Sequence, residues 1–198
     1  ELTTDSHGTL AQLLEDNKLD VCLTIAPEMA SERQEVCPLL TLGMFWIASP
    51  SLIPYSTDRL GMSDLARCPI ISYASGSLNS KRMTSYLGED FSADHIVHAS
   101  NSLATSIHMT VNVIGIMVAP AVVIQRELRE GLLHVLNVDP AFTSTDYAII
   151  YSRAHDTRNA IQIASIAREA AQRLCRCFDP SLAALPLLSP VVLKPNAS

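Results

Sequence analysis

Three short stretches gather small polar residues where an extended pattern gives way to a helical one: "SYASGS" (72–77), "ASNSLATS" (99–106) and "TTDS" (3–6). Their chemistry is that of a helix start. The first backbone N–H groups of a helix have no partner within it, and they carry positive partial charge. Such ends favour carboxylates and other anions. Ser75, Ser77 and the backbone around Gly76 are offered by the first stretch, Ser100, Asn101 and Ser102 by the second, and Thr4, Asp5 and Ser6 by the third. The plainer role of Ser and Asn here is the N-cap, worth about 1 kcal/mol to stability. Lys81 and Arg82 suit an anion but also read as an ordinary solvated helix face. Asp5 would repel an anion, so the sign of a ligand stays open.

Other chemistries find little purchase. "YASGS" lacks the G-x-S-x-G elbow that exposes a nucleophilic serine. His95, His98, His108 and His134 lie in strand or helix patterns, and Asp94, His95 and His98 match no metal-ligand spacing. With only 7 glycines there is no phosphate-cradling loop. We expect no enzyme, no metal and no cofactor. The five cysteines (Cys22, Cys37, Cys68, Cys175 and Cys177) are odd in number and form no CxxC pair. That favours reduced thiols and a cytoplasmic setting. Cys175 and Cys177 have no complementary ligand cluster.

The chain that must position these groups has 198 residues, enough for one large domain or two small lobes. It is 48% hydrophobic and 17% charged, with net charge −6. Its 14 lysines and arginines form no stripe for a nucleic-acid backbone. No apolar run approaches the ~20 residues of a membrane span, and we expect no membrane partner. The chain starts at Glu1 rather than Met, which suggests a fragment or processed product.

Elements alternate, as in an α/β sheet. "GTLAQLLEDN" is an amphipathic helix, and Val21 to Ile25 a buried strand stopped by Pro27. "EMASERQE" is a solvated connector, and "VCPLLTLGMFWIASP" reads as one long strand with a bulge at Gly43. A short helix capped by Ser63, the strand "PIISYA" and the helix "SGSLNSKRMTSYL" follow. Then come the strand "DHIVHA" and a helix capped by Asn101 or Ser102. "TVNVIGIMVAP" makes a corner: a helix ends near Val113, Gly115 lets the turn pass close to other backbone, and Ile116 to Ala119 form a strand. Pro120 would open the next helix, where its missing N–H costs nothing, and Gly131 would close it. "LLHVLN" and "STDYAIIYS" read as strands, with Tyr147, Ile149 and Tyr151 on one face. Residues 156–178 form the longest helix, followed by a proline-punctuated, loosely attached tail.

This order of segments resembles the effector-binding domain of LysR-type transcriptional regulators. "LEDNKLDVCLTI" is similar to that family's "L..G.LD.AI", and "TVNVIGIMVAP" to its "VAAGLGIALLP". "PAVVIQRELREGLLHVL" is similar to its proline, helix and "L..G.L..L" run. "LLTLGMFWIASPSL" and "DYAIIYS" match the two places where the family's chain passes between lobes. The likeness spans residues 2 to 175. In the corner, Val113 stands where the family usually has its first glycine.

The resemblance implies an α/β fold of two Rossmann-like lobes with type II periplasmic-binding-protein architecture, joined by two crossover strands. Residues 1–48 and 146–178 would form the first lobe, 49–145 the second, and 179–198 a Pro-rich tail. The family's first strand and helix, and its DNA-binding region, are absent from this sequence, which accounts for the acidic charge. A small-molecule effector would lie between the lobes, at strand ends. Thr4, Asp5, Ser6, Ser75, Gly76, Ser77, Ser100, Asn101 and Ser102 would line it, with Phe45, Trp46 and Tyr147 as apolar walls. One of Phe45 and Trp46, neighbours on a strand, should face the core. The family further implies self-association as dimer or tetramer, with DNA reached only through the absent region. Assembly would be weakened here, because the absent first helix lies in that interface. The rival reading is a stand-alone solute-binding protein of the same fold.

Overall fold

The computed structural model describes residues 1–27, 31–88, 96–153 and 157–186. The chain divides into two compact units, Glu1–Leu42 with Ser144–Ser198, and Gly43–Thr143. It passes from one to the other after Leu42 and returns after Thr143.

The first unit is built on helix α1 (His7–Glu15) and strands β1 (Val21–Ile25), β2 (Gln34–Leu42) and β8 (Thr145–Ser152). β8 returns between β1 and β2 and runs antiparallel to both. This described sheet is therefore antiparallel throughout. Alternation along β8 decides which side chain faces which helix. Ala148 and Ile150 meet Leu14 and Cys22 on the α1 side. Ile149 and Tyr151 meet Ala160 and Ala164 of the 20-residue helix α6 (Arg158–Cys177). The tail is not loose where it is described: β9 (Ala183–Ala184) adds to the edge of β2, and Ala183 is buried.

The second unit holds β3 (Met44–Ala48), β4 (Ile70–Tyr73), β5 (Ile96–Ser100), β6 (Ile116–Pro120) and β7 (His134–Val135). Their order is β5-β4-β6-β3-β7, with β5, β4 and β6 parallel and β3 antiparallel to its neighbours. The long strand read across Gly43 is thus two strands in two sheets, and β3 lies with the second unit rather than in the first lobe's 1–48. From β4 the chain runs through α3 (Leu78–Leu87) to β5, then through α4 (Leu103–Val111) back over β4 to β6. Right-handed crossovers in opposite directions put their helices on opposite faces. The cores show this. Met83 and Leu87 of α3 pack with Trp46, Ile70, Ile116 and Val118. Ile107 and Met109 of α4 pack with Ile47, Ile71, Met117 and Ala119.

The corner behaves as its glycine demands. A Cβ on Gly115 would sit 2.5 Å from the Pro69 carbonyl oxygen, while Ile116 N–H donates to that same oxygen at 2.8 Å. Two strands meet here too closely for a side chain. α4 has already ended at Val111, and Val113 sits at φ 64°, a left-handed conformation that a β-branched residue adopts at a cost.

Smaller readings shift. Gly61, not Ser63, precedes α2 (Met62–Leu65), and the Asp64 carboxylate reaches back to accept Gly61 N–H at 2.9 Å. Pro120 closes β6 and precedes a 3-10 turn, Ala121–Ile124, that leads into α5 (Gln125–Arg129). Gly131 follows at φ 69°, as a helix stop requires. Residues 1–6 form no strand, so "TTDS" is not a strand end. Residues 28–30 of the connector, Asp94, His95, residue 156 of the last helix reading and tail residues 187–198 lie outside the described residues.

Candidate ligand site

Tyr73 and Ser100 are partners at the carboxyl ends of parallel β4 and β5. Both chains leave the sheet side by side there, and each enters a helix within a few residues. After β4, Ser77 N–H donates to Ala74 O at 3.1 Å, closing a turn with Gly76 at φ 81°. A positive φ at the third position is the type II turn's demand for glycine. Ser77 Oγ then accepts Ser80 N–H at 3.1 Å and caps α3. After β5, Ser100 Oγ accepts Ser102 N–H at 3.0 Å and donates to Ser102 O at 3.2 Å. Ser102 Oγ accepts Thr105 N–H at 3.3 Å and caps α4. Ser102, rather than Asn101, is therefore the cap.

This sorts the polar residues. Ser77, Ser100 and Ser102 spend their hydroxyls holding local backbone. Ser75 and Asn101 are exposed, and neither side chain has a hydrogen-bond partner among the described residues. Neither α3 nor α4 has an acidic residue in its first turn, so the positive ends of both stay uncompensated by their own side chains. Two adjacent helix starts with two free polar side chains can hold a small polar molecule, most favourably an anionic one.

The other expected residues lie elsewhere. Trp46 is 1% exposed and packed in the α3-side core, with Nε1 donating to Tyr86 Oη at 3.3 Å. It cannot wall a ligand. Phe45, on the opposite face of β3, packs half-buried against the α4-side core. Tyr147 is half-buried in β8, opposite Ile25 and Leu40, in the first unit. Thr4, Asp5 and Ser6 are exposed. Asp5 accepts Ser6 N–H at 2.6 Å, and Ser6 Oγ caps α1 by accepting Thr9 N–H at 3.3 Å. Lys81 is exposed and forms no ion pair among the described residues. Arg82 is engaged, donating to Thr143 O at 3.1 Å and lying 6.0 Å from the Phe142 ring centre.

Three residues stand out that sequence reasoning missed. Tyr73, the last residue of β4, donates its hydroxyl to Val118 O at 2.7 Å and props the strand end beside Ser75. Its place immediately before "ASGS" was the available signal. His7 shares a 2.8 Å hydrogen bond between Nδ1 and Thr24 Oγ1, with Thr24 buried in β1. Tyr86 binds both Trp46 and the Pro140 carbonyl, which nothing in its neighbourhood in sequence announces.

Among the described residues no group of His, Cys, Asp and Glu is placed to hold a metal ion. Burial pushes the Cys22, Cys68 and Cys175 thiols above their ordinary range, so they stay protonated at neutral pH. No described helix is long and apolar enough to cross a membrane.

With this geometry in place, the family is settled by comparison. The model of the LysR substrate binding domain matches residues 1–171, and the chain belongs to that family. No curated protein sequence matches it. Among solved structures it is similar to a mutant of Corynebacterium glutamicum OxyR, at 20% identity and TM-score 0.67, covering 87% of this chain and 54% of that one. It is also similar to the effector binding domain of QuiR in complex with shikimate (14% identity, TM-score 0.69, covering 85% of this chain and 79% of that one). The regulatory domain of Synechocystis CcmR in complex with 2-PG is a further likeness (13% identity, TM-score 0.71, 86% and 82% covered). The chain thus spans about half of the OxyR chain it matches, and at these identities the likeness is one of fold.

Proposed function

We propose that this chain is the ligand-sensing domain of a LysR-type transcriptional regulator. It binds a small-molecule effector between its lobes, and the contribution of the second unit is the paired start of α3 and α4. The observation that carries this reading is the register of Tyr73 with Ser100: it sets two capped helix starts side by side at one sheet edge, with Ser75 and Asn101 exposed and unpartnered among the described residues. Ser75 and Asn101 are the direct contacts. Ser77, Gly76, Ser100 and Ser102 shape the backbone that presents its N–H groups, and Thr4, Asp5 and Ser6 at the start of α1 are the first unit's share. Phe45 and Tyr147 remain the candidate apolar contacts. The shikimate and 2-PG complexes of the QuiR and CcmR domains support a compact, oxygen-rich effector.

The effector acts by population shift. It favours one arrangement of the domain only to the extent that it binds that arrangement more tightly. The response reaches a promoter through a DNA-binding region outside this chain, and through self-association as dimer or tetramer. Such a regulator works in the cytoplasm, where the DNA is. The family match disfavours a stand-alone solute-binding protein.

Thermal unfolding against a panel of carboxylates and phosphates, shikimate and 2-PG included, tests the reading. A compound at a hundred times its dissociation constant stabilises by about 2.7 kcal/mol, or roughly 5–10 °C for a domain of this size. The shift should shrink in Ser75→Ala and Asn101→Ala. A cooperatively folded chain that no compound stabilises would count against it.

A further inference from the structure

α3 touches more than the candidate site. Its amino end carries the Ser77 cap, and its next turns reach the two segments by which the chain enters and leaves the second unit. On the entering side stands Trp46 of β3, shortly after the passage at Leu42–Gly43. Trp46 Nε1 donates to Tyr86 Oη, and the two rings lie 6.1 Å apart. On the leaving side stand Pro140 to Thr143, which end the unit. Tyr86 Oη donates to Pro140 O at 2.5 Å, and its ring lies 4.8 Å from that of Phe142. One turn nearer the helix start, Arg82 donates to Thr143 O and covers the Phe142 ring. A single hydroxyl therefore takes a hydrogen bond from one connection and gives one to the other.

We propose that α3 is the relay of this domain: Tyr86 and Arg82 fasten the helix whose amino end faces the candidate site to both connections of the second unit, so that a shift of α3 moves the two together. The chemistry suits the task. Tyr86 is held by directional hydrogen bonds from both sides, Phe142 is buried, and Arg82 donates to a backbone carbonyl. Burial keeps the Tyr86 phenol protonated beyond its ordinary range, so the bond to Pro140 persists across physiological pH. The relay rests on the sensor reading for its purpose. Its existence can be tested without any ligand.

Hydrogen exchange on the unliganded chain is the test. Tyr86→Phe keeps the ring and removes both hydrogen bonds. Amides of residues 43–46 and 141–145 should exchange about tenfold faster, the factor carried by one hydrogen bond of ordinary strength, while those of α4 and β6 hold their rates. Arg82→Ala should speed only residues 141–145. Unchanged rates in Tyr86→Phe would overturn the proposal. So would one common acceleration through α4 and β6, which marks Tyr86 as ordinary core, or equal acceleration of residues 43–46 by Arg82→Ala. Failure of every compound in the thermal panel would sink the sensor reading and leave this result untouched.

Discussion

The two units use the same ingredients to different ends. In the first, β8 runs back between β1 and β2, and the described sheet is antiparallel. No described strand leads into the start of α1, which Ser6 caps and which His7 ties to Thr24 of β1, and α6 keeps Ile161, Ile163 and Ile166 about half exposed. In the second, three parallel strands force two crossovers, and their helices begin at one edge. Parallel pairing has no short return, so each strand end must hand over to a helix. The grouping of helix starts follows topology here.

Four substitutions break or sharpen this contrast. The largest effect is expected from Trp46→Ala, which empties the α3-side core and should cost about 4 kcal/mol. Leu23→Ala in β1 removes a side chain already 53% exposed and should cost under about 1 kcal/mol. Calorimetry on the pair would show a large loss against a small one; equal losses would dissolve the contrast. Gly115→Ala comes next. Its methyl must displace the Pro69 backbone, which should cost about 2–3 kcal/mol, at the upper end of overpacking penalties. An unchanged midpoint would mean the corner can open. Smallest, and opposite in sign, is Val113→Gly. Glycine loses the left-handed penalty but gains freedom when unfolded, and the net should be a stabilisation of about 0.5–1 kcal/mol. A lower midpoint would show that the half-exposed Val113 side chain earns more by packing than it loses by conformation.

Much of this was legible from residues alone. β1 and α4 stood out because the local pattern and the caps agree, and Gly115 because a lone glycine in an apolar run needs a close neighbour. The break at Gly43 was hidden, since a strand changing sheets carries no local mark. Phe45 and Trp46 could not be assigned to faces because β3 is flanked by β6 and β7 and covered on both sides, which erases the alternation of a half-exposed strand. Ala183 and Ala184 pair through backbone, which any sequence can supply. At the site, helix starts were readable as chemistry. Which serine caps and which stays free was decided by three-dimensional hydrogen bonding, and Tyr86 by contacts with residues 40 and 54 positions away.

The opposite-face placement of α3 and α4 has a consequence for descent. Ser77 is held in position by one packed core and Ser102 by another, with the sheet between them. Substitutions that resculpt one of these two helix starts need not disturb the other. On the proposed sensor reading, a lineage carrying this domain can therefore exchange one end of its ligand while keeping the other, and drift from one small molecule to a chemical cousin by single steps.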